Sequence, residues 1–368
     1  MRRWEVALIA TMTAILAGGT SHADAPTVRA KDGASIVARG YPFQFPRDYG
    51  SHPGFRTEWW YITGWLDRPH GTAIGFQITF FRSRTDPGLT GANPSAFSPS
   101  QLLIAHAAIG DAAIGRLIRD QRIARAGFDL ARASEQDTSV FIDRWRLDRL
   151  PDGYRADIQA EDFTLNLTMR PTQLEMRNGE QGYSQKGPRP ESASYYYSIP
   201  HLQVAGSVTH LGHAETVHGE AWLDHEWSSE YLDPQAQGWD WIGLNFVDGS
   251  ALMAFRIRAR NGSTLWAGGT WRDAHGATRA LEPREIEFVP LRQWRSARTG
   301  TDYPVRWSVR AAGLQCGLLP LMQDQENDTR ATTGAIYWEG AVRALRGGRE
   351  IGRGYLELTG YDRALKLN

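Results

Sequence analysis

Short runs of aromatic and β-branched residues, separated by turn residues, extend from residue 40 to the C-terminus, and this punctuation limits the chain to few folds. Asp-Gly and Asn-Gly pairs favour two-residue hairpin loops because glycine adopts positive φ without strain. Such pairs separate the runs at Asp152-Gly153, Asn178-Gly179, Asp248-Gly249 and Asn261-Gly262. The pattern predicts an all-β fold of antiparallel barrels or sandwiches with little helix, since only residues 116–133 have helical character. Without strand–helix–strand alternation, a doubly wound parallel sheet is not expected.

Two predicted hairpins resemble each other and lie 180 residues apart, about half the chain. The first has the strand Trp59-Trp60-Tyr61-Ile62, a turn, and then Phe76-Gln77-Ile78. The second has Trp239-Asp240-Trp241-Ile242, a turn, and then Phe255-Arg256-Ile257. Repetition of this kind indicates duplicated structural units, although two ordinary hairpins could share the pattern by coincidence. We therefore expect two antiparallel β-barrel domains related by internal duplication.

A break in the strand pattern suggests where the two domains meet. Pro188 and Pro190 interrupt it shortly before an aromatic strand that begins near residue 195. Because proline cannot donate a hydrogen bond within a sheet, we place the boundary in this region. The expected domains are an N-terminal barrel at residues 24–200 and a C-terminal barrel at residues 201–368.

The first 23 residues have the features of a secretory signal peptide. Arg2 and Arg3 precede an apolar run of 12 residues, Val6 to Ala17, which is too short to span a bilayer. Small residues then favour cleavage after Ala23, so we expect a periplasmic or secreted protein, with an uncleaved N-terminal anchor as the alternative. Since no later apolar stretch approaches about 18 residues, no integral membrane segment is expected in the mature chain.

Charge and cysteine content exclude several functional classes. Lys and Arg together number 41, as do Asp and Glu, so the basic excess typical of nucleic-acid-binding proteins is absent. The single cysteine, Cys316, permits no intrachain disulfide, cysteine-based zinc site or iron–sulfur cluster. The sequence also lacks the G-x-S-x-G, Walker A, G-x-G-x-x-G and H-E-x-x-H motifs. We therefore expect no cofactor.

The densest group of titratable and aromatic residues is Asp224-His225-Glu226-Trp227. Successive side chains of a strand point to opposite faces, so Asp224 and Glu226 share one face while His225 and Trp227 share the other. A histidine beside an aromatic ring places a proton donor next to a surface that stabilises a developing cation, which suits the protonation of an alkene. Alternatively, Asp224 and His225 are buried hydrogen-bonding anchors that close the barrel.

A further candidate acid, Glu58, precedes the three consecutive aromatic residues 59–61. If it points inward, burial raises the pKa of its carboxyl and makes it a candidate general acid. The alternative is an ion pair with Arg56 or Arg82, which the many arginines favour. We expect structural roles for Glu339 and Glu357 in closing strands.

Histidines cluster in one segment, but their spacing does not predict a metal site. Four lie within 16 residues, at His210, His213, His218 and His225. Their separations place them together neither on one helix nor on one face of a strand, so we expect no metal. His106, within an apolar run, is expected to be a hydrogen-bonded core histidine.

Several motifs together resemble the AttH-like secreted proteins, a family grouped with the carotenoid 1,2-hydratases (hydroxyneurosporene synthases). The resemblance covers nearly the whole mature chain. Its motifs are Tyr41-Pro42-Phe43-Gln44-Phe45-Pro46-Arg47-Asp48-Tyr49-Gly50, Thr57-Glu58-Trp59-Trp60-Tyr61, Tyr195-Tyr196-Tyr197-Ser198, Asp224-His225-Glu226-Trp227, Trp239-Asp240-Trp241, Tyr337-Trp338-Glu339-Gly340 and Gly354-Tyr355-Leu356-Glu357-Leu358-Thr359-Gly360-Tyr361. The resemblance implies two lipocalin-like antiparallel barrels enclosing a small apolar ligand.

The resemblance also implies an activity. Hydratase relatives add water across a terminal alkene of an acyclic carotenoid without a cofactor, using a His and a Trp two positions later, then a Tyr and an Asp further along. His225 and Trp227 match the first pair, while the stretch 251–258, where the second pair would fall, lacks both residues. The AttH-like branch is also linked to ABC transporters and to secreted hydrolases.

We therefore expect a periplasmic or secreted two-barrel protein that binds an isoprenoid- or polyketide-like ligand. In the enzymatic version, Asp224 or His225 protonates an alkene, Trp227 and Trp241 shield the cation, and water adds. The alternatives are a non-catalytic carrier or accessory to an ABC-type exporter and, third, a secreted hydrolase. The residues expected to contact the ligand are Trp59, Trp60, Tyr61, Trp239 and Trp241.

Overall fold

The computed structural model describes residues 29–30, 33–85 and 100–365, so the predicted signal peptide at residues 1–23 lies outside the described residues. Two antiparallel sheets account for most of this part of the chain, together with short 3-10 helices at Arg47–Tyr49 and Pro283–Glu285. The prediction of an all-β fold built from two antiparallel units is therefore confirmed. Among the described residues, no helix has the length and apolar character needed to cross a membrane.

The first sheet contains thirteen of the described strands. They are β1 (Thr57–Asp67), β2 (Ile74–Arg84), β3 (Gln101–Asp111), β4 (Arg116–Arg125), β5 (Ala131–Ala133), β6 (Ser139–Ile142), β7 (Trp145–Leu150), β8 (Gly153–Gln159), β9 (Phe163–Pro171), β10 (Met176–Arg177), β11 (Tyr183–Gln185), β12 (Ala193–His210) and β13 (His213–Ser228). Their order is β4-β3-β2-β1-β13-β12-β9-β8-β7-β6-β5, with β10 and β11 also paired to β12. The sheet curls until β6 contacts β3 and β4, which makes it a nearly closed barrel.

The second sheet contains ten of the described strands. They are β14 (Ala236–Phe246), β15 (Ala251–Ala259), β16 (Thr264–Arg272), β17 (Thr278–Leu281), β18 (Glu287–Arg295), β19 (Asp302–Ala311), β20 (Leu314–Pro320), β21 (Glu326–Asp328), β22 (Ile336–Arg346) and β23 (Arg349–Leu358). Their order is β17-β16-β15-β14-β23-β22-β20-β19-β18, with β21 paired to β22.

The two sheets share one strand order around their central hairpins. In the first sheet, β3 and β4 follow the β1–β2 hairpin on one side, and β13 and β12 flank it on the other. In the second sheet, β16 and β17 follow the β14–β15 hairpin, and β23 and β22 flank it. The hairpins that carry the repeated aromatic pattern thus occupy equivalent places. Moreover, β1 contacts β22 and β23, while β14 contacts β12 and β13, so each half meets the other through equivalent strands.

Two local features differ from the sequence-based expectations. β12 runs through the expected boundary at residue 200, and β13 returns beside it, so the first sheet extends to Ser228 and the second begins at Ala236. The prediction of helical character for residues 116–133 is wrong, because β4 pairs with β3 along its whole length and β5 pairs with β6. β4 is a half-exposed strand, and its mixture of charged and apolar residues imitated an amphipathic helix.

Side-chain alternation on β1 divides two hydrophobic cores. Trp60 and Ile62 lie in the core of the first barrel, whereas Tyr61 and Trp65 face the second sheet and lie in a separate core between the sheets. This interface core also contains Tyr196, Trp222, Trp241, Phe255 and Tyr355. Full burial of an aromatic side chain contributes roughly 1.5–3 kcal/mol, so several such residues hold the sheets together. The indole Nε1 of Trp65 also donates a hydrogen bond of 3.1 Å to the Gly354 carbonyl oxygen across the interface.

Candidate active site

The residues selected from the sequence lie on opposite faces of the paired strands β1 and β13. The register pairs Glu58 with Trp227 and Trp60 with His225, and these four side chains point into the first barrel. It pairs Trp59 with Glu226 and Tyr61 with Asp224, which point towards the second sheet, where Trp239 and Trp241 of β14 also lie. The predicted alternation within residues 224–227 is therefore found. The structure does not bring Asp224 together with His225 in one cavity.

Inside the barrel, His225 is fully buried between two fixed partners. Its Nε2 lies 2.9 Å from Glu58 Oε1, and its Nδ1 lies 3.0 Å from the Tyr197 hydroxyl. Because a carboxylate only accepts, Nε2 donates to Glu58 and Nδ1 accepts from Tyr197. Burial lowers the pKa of His225, although the Glu58 carboxylate opposes the shift. The imidazole is thus neutral at neutral pH and has no proton ready for a substrate.

Glu58 is the centre of this buried group, which we call the barrel cluster: Asp48, His52, Glu58, Arg82 and His225. Arg82 Nε donates to Glu58 Oε2 at 2.7 Å, and His52 Nδ1 donates to Oε1 at 2.7 Å. Burial alone would raise the pKa of Glu58, but the charges of Arg82 and His52 hold it well below its ordinary range. The raised pKa expected of a buried general acid is therefore not found, and the alternative pairing with Arg82 describes this residue.

The other side chains of the barrel cluster also have partners within the protein. His52 Nε2 lies 3.2 Å from Asp48 Oδ1, so both ring nitrogens of His52 point at carboxylates. The Trp227 ring stacks on His52 with centroids 3.7 Å apart, and the Trp60 ring stacks on His225 at 4.7 Å. All of these side chains are buried. The arrangement ties the segment before β1 to β1, β2 and β13.

Three members of the barrel cluster could also act as metal ligands by geometry. Ligand atoms of His52, Glu58 and His225 lie within 4.8 Å of one another. Each of those atoms is already in a hydrogen bond, and the cationic Arg82 guanidinium holds the same carboxylate, which opposes a second cation. Of the four clustered histidines, only His225 takes part. The expectation of no metal stays a prediction.

A cavity of about 330 Å³ lies on the other face of β1 and β13, between the two sheets. We call it the crevice. Aromatic side chains line much of it, including Trp59, Tyr61, Phe81, Tyr231, Trp239 and Trp241. Tyr61 and Trp241 meet edge to face with ring centroids 5.5 Å apart. A concave apolar site with a few convergent polar groups is the usual form of a small-molecule site.

Five acidic residues line the crevice. The carboxylate of Glu58 is engaged in the barrel cluster, and the other four are Asp224, Glu226, Glu339 and Glu357. Glu339 and Glu357 are direct cross-strand partners on β22 and β23. Burial raises the pKa of Glu339 to about 7. Burial, and then the charge of Glu339, raise the pKa of Glu357 well above its usual range. Two adjacent carboxyls with raised pKa values retain a proton near neutral pH, because ionising both would place two negative charges side by side.

Asp224 has a different environment within the same crevice. Its Oδ2 accepts a hydrogen bond of 2.7 Å from the Tyr196 hydroxyl, while Oδ1 accepts from Ser198 at 2.5 Å and from Trp222 Nε1 at 2.7 Å. Burial raises the pKa of Asp224 to about 7 against the opposing effect of these three donors. The net effect is a raised pKa, but the three donors hold it lower than burial alone would, so Asp224 can be ionised and accept a proton near neutral pH.

Glu226 is held by a buried lysine. Lys186 Nζ lies 2.9 Å from Glu226 Oε1, and the side chain of Lys186 is 2% exposed. Burial lowers the pKa of Lys186, and the same burial raises the pKa of Glu226, while their mutual attraction opposes both shifts. Nζ also lies 4.2 Å from the centroid of the Phe255 ring. Nothing in the local sequence around Lys186 indicated this ion pair, because it depends on the pairing of β11, which ends one residue before Lys186, with β12 and on the pairing of β12 with β13.

Two buried polar atoms at the crevice make no hydrogen bond of ordinary length and angle among the described residues: the Tyr61 hydroxyl and Glu339 Oε1, which lie near each other. The other carboxyl oxygen of Glu339 accepts a bond of 2.9 Å from Gln77 Nε2. His106 also lines the crevice, and its ring nitrogens bond Tyr337 at 3.1 Å and Thr332 at 2.9 Å, as expected for a satisfied histidine. Burial lowers the pKa of His106 to about 3, so it is neutral.

The sequence-based selection thus identified only part of the crevice. Trp59, Tyr61, Asp224, Trp239 and Trp241 lie there, whereas Glu339 and Glu357 had been given structural roles. Their signal was present in the sequence, because both glutamates occupy strands with an aromatic pattern like that of β1. The pattern alone does not show that the two glutamates meet at the crevice, because that depends on the pairing of β22 with β23 and of β23 with β14.

Comparison with known proteins gives consistent results. A family model described as AttH-like matches residues 36–361. The chain is 53% identical to an AttH protein of known structure from Nitrosomonas europaea, with a TM-score of 0.83 over 89% of this chain and 99% of that one. No curated protein matches the chain.

More distant solved structures share the fold. Kievitone hydratase from Nectria haematococca is 15% identical, with a TM-score of 0.64 over 92% of this chain and 97% of that one. CghA bound to Sch210972 is 12% identical, with a TM-score of 0.50 over 84% of this chain and 89% of that one. At such identities the similarity concerns the fold alone.

Proposed function

Because the chain belongs to the AttH-like family, we propose that it is a cofactor-free hydro-lyase that protonates an alkene of an apolar ligand in the crevice between its two sheets. The observation that carries this proposal is the Glu339–Glu357 pair, a buried and a partly accessible carboxyl that lie side by side and open on an aromatic cavity. Protonation of an alkene requires a protonated acid to supply the proton and aromatic rings to stabilise the cation that forms.

Glu357 is the proton donor in this proposal. Its side chain is partly accessible from the crevice, whereas Glu339 is 1% exposed. Their proximity keeps a proton on the pair near neutral pH. A carboxyl with a pKa close to the working pH is an effective general acid. Glu339 supports the donor without contacting the ligand's reacting carbon.

Asp224 is the proton acceptor. It faces the crevice from the other sheet and is fixed by three hydrogen-bond donors. Burial raises the pKa of both carboxyls, but three donors oppose the rise at Asp224 whereas the charge of Glu339 adds to it at Glu357, so the pair can provide a base and an acid at the same pH. The acid therefore comes from the second sheet and the base from the first.

The proposed reaction balances without a cofactor. The Glu357 carboxyl transfers its proton to one alkene carbon, the π bond breaks, and a carbocation forms on the other carbon. The rings of Trp241 and Trp59 stabilise this cation. Water adds to it and loses a proton to Asp224, so the net change is the addition of one water molecule. Transfer of the proton from Asp224 back to Glu357 through water restores the site.

Hydration is the reaction to test, because the crevice places a protonated carboxyl beside aromatic rings and because kievitone hydratase shares the fold. We also propose that the ligand is isoprenoid- or polyketide-like, since an aromatic-lined cavity suits an apolar body. The predicted signal peptide supports a periplasmic or secreted location. The carrier alternative uses the same crevice without proton transfer.

Incubation with acyclic isoprenoid alkenes in ¹⁸O-labelled water, followed by mass spectrometry, tests this proposal. A hydratase incorporates one labelled hydroxyl per product. Asp224→Asn and Glu357→Gln should each reduce the rate by at least about 100-fold, because each removes a proton-transfer group. The exposed Glu287→Gln on β18 is the matched control and should retain full activity.

Binding without labelled product would contradict the enzymatic proposal and support a carrier. If the wild type forms product and both Glu357→Gln and Asp224→Asn keep its full activity, the acid and the base lie elsewhere. Circular dichroism of each variant distinguishes lost chemistry from lost folding.

A further inference from the structure

The ionisable groups that line the crevice are mainly acidic. Glu58 lines the crevice too, but its carboxylate is paired with Arg82 in the barrel. The other four carboxyls come from both sheets, and they are the remaining lining groups that can become anionic. The phenols of Tyr61, Tyr196, Tyr231 and Tyr337 remain neutral, because burial raises the pKa of each well above its usual value. His106 is neutral as well. The cavity is therefore neutral or negative.

The cations near the crevice are already engaged. Arg82 is the one lysine or arginine among the described lining residues, and its guanidinium lies in the barrel, 2.7 Å from Glu58 Oε2. Lys186, behind the crevice wall, is paired with Glu226. Neither is available to a ligand without breaking a buried ion pair, which is costly. A ligand carboxylate or phosphate entering the crevice would meet carboxyls and find no cation.

The Tyr61 hydroxyl and Glu339 Oε1 indicate what the crevice can accept, because they face each other without making a hydrogen bond of ordinary length and angle. Buried polar atoms that lack a well-formed hydrogen bond are uncommon and suggest that a ligand completes it. Burial, and then the charge of Glu339 and the weak interaction of the hydroxyl with its carboxyl, raise the pKa of Tyr61, and both residues line the crevice. A ligand hydroxyl can accept a hydrogen bond from Tyr61 and donate one to Glu339, whereas a carboxylate can only accept.

From this arrangement we infer that the crevice selects an uncharged, hydroxyl-bearing lipophilic alkene and excludes ligands that end in a carboxylate or phosphate. The inference rests on the crevice being the ligand site of the proposed function. Fatty acids and prenyl diphosphates would therefore not be substrates, although their apolar chains would suit the aromatic wall. The hydroxyl contacts Tyr61 and Glu339, which leaves the apolar body against Trp59 and Trp241.

Calorimetric titration of the full chain with three ligands of one carbon skeleton tests this inference. The ligands are geraniol, geranic acid and the parent diene without the hydroxyl. At pH 7.5 we expect geraniol to bind about tenfold more tightly than the diene, because it completes two hydrogen bonds. Geranic acid should bind at least about 100-fold more weakly than geraniol, because its ionised carboxylate meets the crevice carboxyls. Equal affinity for geraniol and geranic acid, or no geraniol binding, would overturn the inference.

Tyr61→Phe provides the site-specific test. This variant keeps the ring but removes one of the two partners of the ligand hydroxyl, so geraniol affinity should fall towards that of the diene while diene affinity stays unchanged. The control is Glu135→Gln, at an exposed position outside the crevice. An equal loss for both ligands would mean a packing defect and would contradict the assigned hydroxyl contact. Binding can be measured without turnover, so the two claims fail separately. If geraniol is selected but no alkene is hydrated, only the enzymatic proposal is contradicted. If an alkene that ends in a carboxylate is hydrated, only this inference is contradicted.

Discussion

Asp224 and Glu357 occupy equivalent positions in the two sheets. Asp224 is the cross-strand partner of Tyr61, and Glu357 is the cross-strand partner of Trp241. Tyr61 and Trp241 are the third residues of the two repeated aromatic strands, and their rings contact each other across the interface. Each half thus contributes one carboxyl to the same crevice. Their surroundings differ, since Asp224 accepts three hydrogen bonds while Glu357 lies beside Glu339.

Removing the His225 side chain should affect folding more than ligand binding. His225→Ala deletes a buried ring that bonds Glu58 and Tyr197, so we expect it to lower the free energy of unfolding by about 2–4 kcal/mol. The crevice lies on the other face of β13, so the ligand affinity of the folded fraction should not change. Urea denaturation and calorimetric titration of one preparation measure both quantities. Loss of turnover at unchanged stability would restore His225 and Trp227 as catalytic candidates.

Neutralising Glu58 should destabilise the protein strongly at neutral pH. Glu58→Gln leaves the buried Arg82 guanidinium without its carboxylate, at a cost of about 3–5 kcal/mol. Because the pKa of Glu58 is held well below 4.5 in the folded state, its contribution is present above that value and is lost as the pH falls through the folded-state pKa. Denaturation curves at pH 7 and in strong acid should therefore show a smaller difference in acid. A constant difference would contradict the ion-pair explanation.

Lys186→Met should produce a pH-dependent defect. The substitution keeps an unbranched apolar side chain but leaves Glu226 buried and unpaired, so the pKa of Glu226 rises further. A carboxyl with a raised folded-state pKa costs stability as the pH increases, so the variant should be least stable at alkaline pH and recover in acid. The double variant Lys186→Met/Glu226→Gln should regain most of the loss at pH 8. Additive effects of the two substitutions would exclude a direct pair.

Glu339→Gln should raise thermal stability at alkaline pH. Burial raises the pKa of Glu339 to about 7, so the folded protein retains a proton that the unfolded chain releases, and stability falls as the pH rises from 4.5 to 7. The neutral amide avoids this cost and can still accept from Gln77. We expect a midpoint about 2–4 °C above that of the wild type at pH 8 and equal midpoints at pH 4. A lower midpoint at pH 8 would show that the carboxylate is stabilising there.

The signal peptide prediction is tested by the mature N-terminus. If cleavage follows Ala23, the exported protein begins at Asp24. Cell fractionation followed by N-terminal sequencing measures both location and cleavage. Recovery of the uncleaved chain with the membranes would support the anchor alternative, and recovery in the cytoplasm would exclude export.

The fold was predictable because its signals are local. Turn dipeptides mark hairpins, and the repeated aromatic strands lie at equivalent places in the two sheets. The domain boundary was less accessible, since the prolines at 188 and 190 precede β12 and only the pairing of β13 with β1 carries the first sheet on to Ser228. The prediction of helical character for residues 116–133 was wrong because amphipathic strands and helices have similar compositions over so short a length.

The candidate site was only partly predictable, because it depends on strand neighbours that are distant in sequence. Alternation correctly separated Asp224 from His225 but could not show which face borders a cavity. Glu339 and Glu357 become significant only through the register of β22 with β23. Likewise, the balance that lowers the pKa of Glu58 depends on Arg82, which lies 24 positions away on β2.

The reciprocal contacts of β1 with β22 and β23, and of β14 with β12 and β13, have an evolutionary consequence. Exchange of equivalent strands across an interface is the geometry of a two-fold homodimer. A single-repeat ancestor could build this crevice by self-association, but its two acids would then be identical and would titrate alike. In the single chain the two carboxyls differ, because Asp224 accepts three hydrogen bonds whereas Glu357 lies beside Glu339. The crevice therefore has a direction, along which a proton can enter at one side and leave at the other.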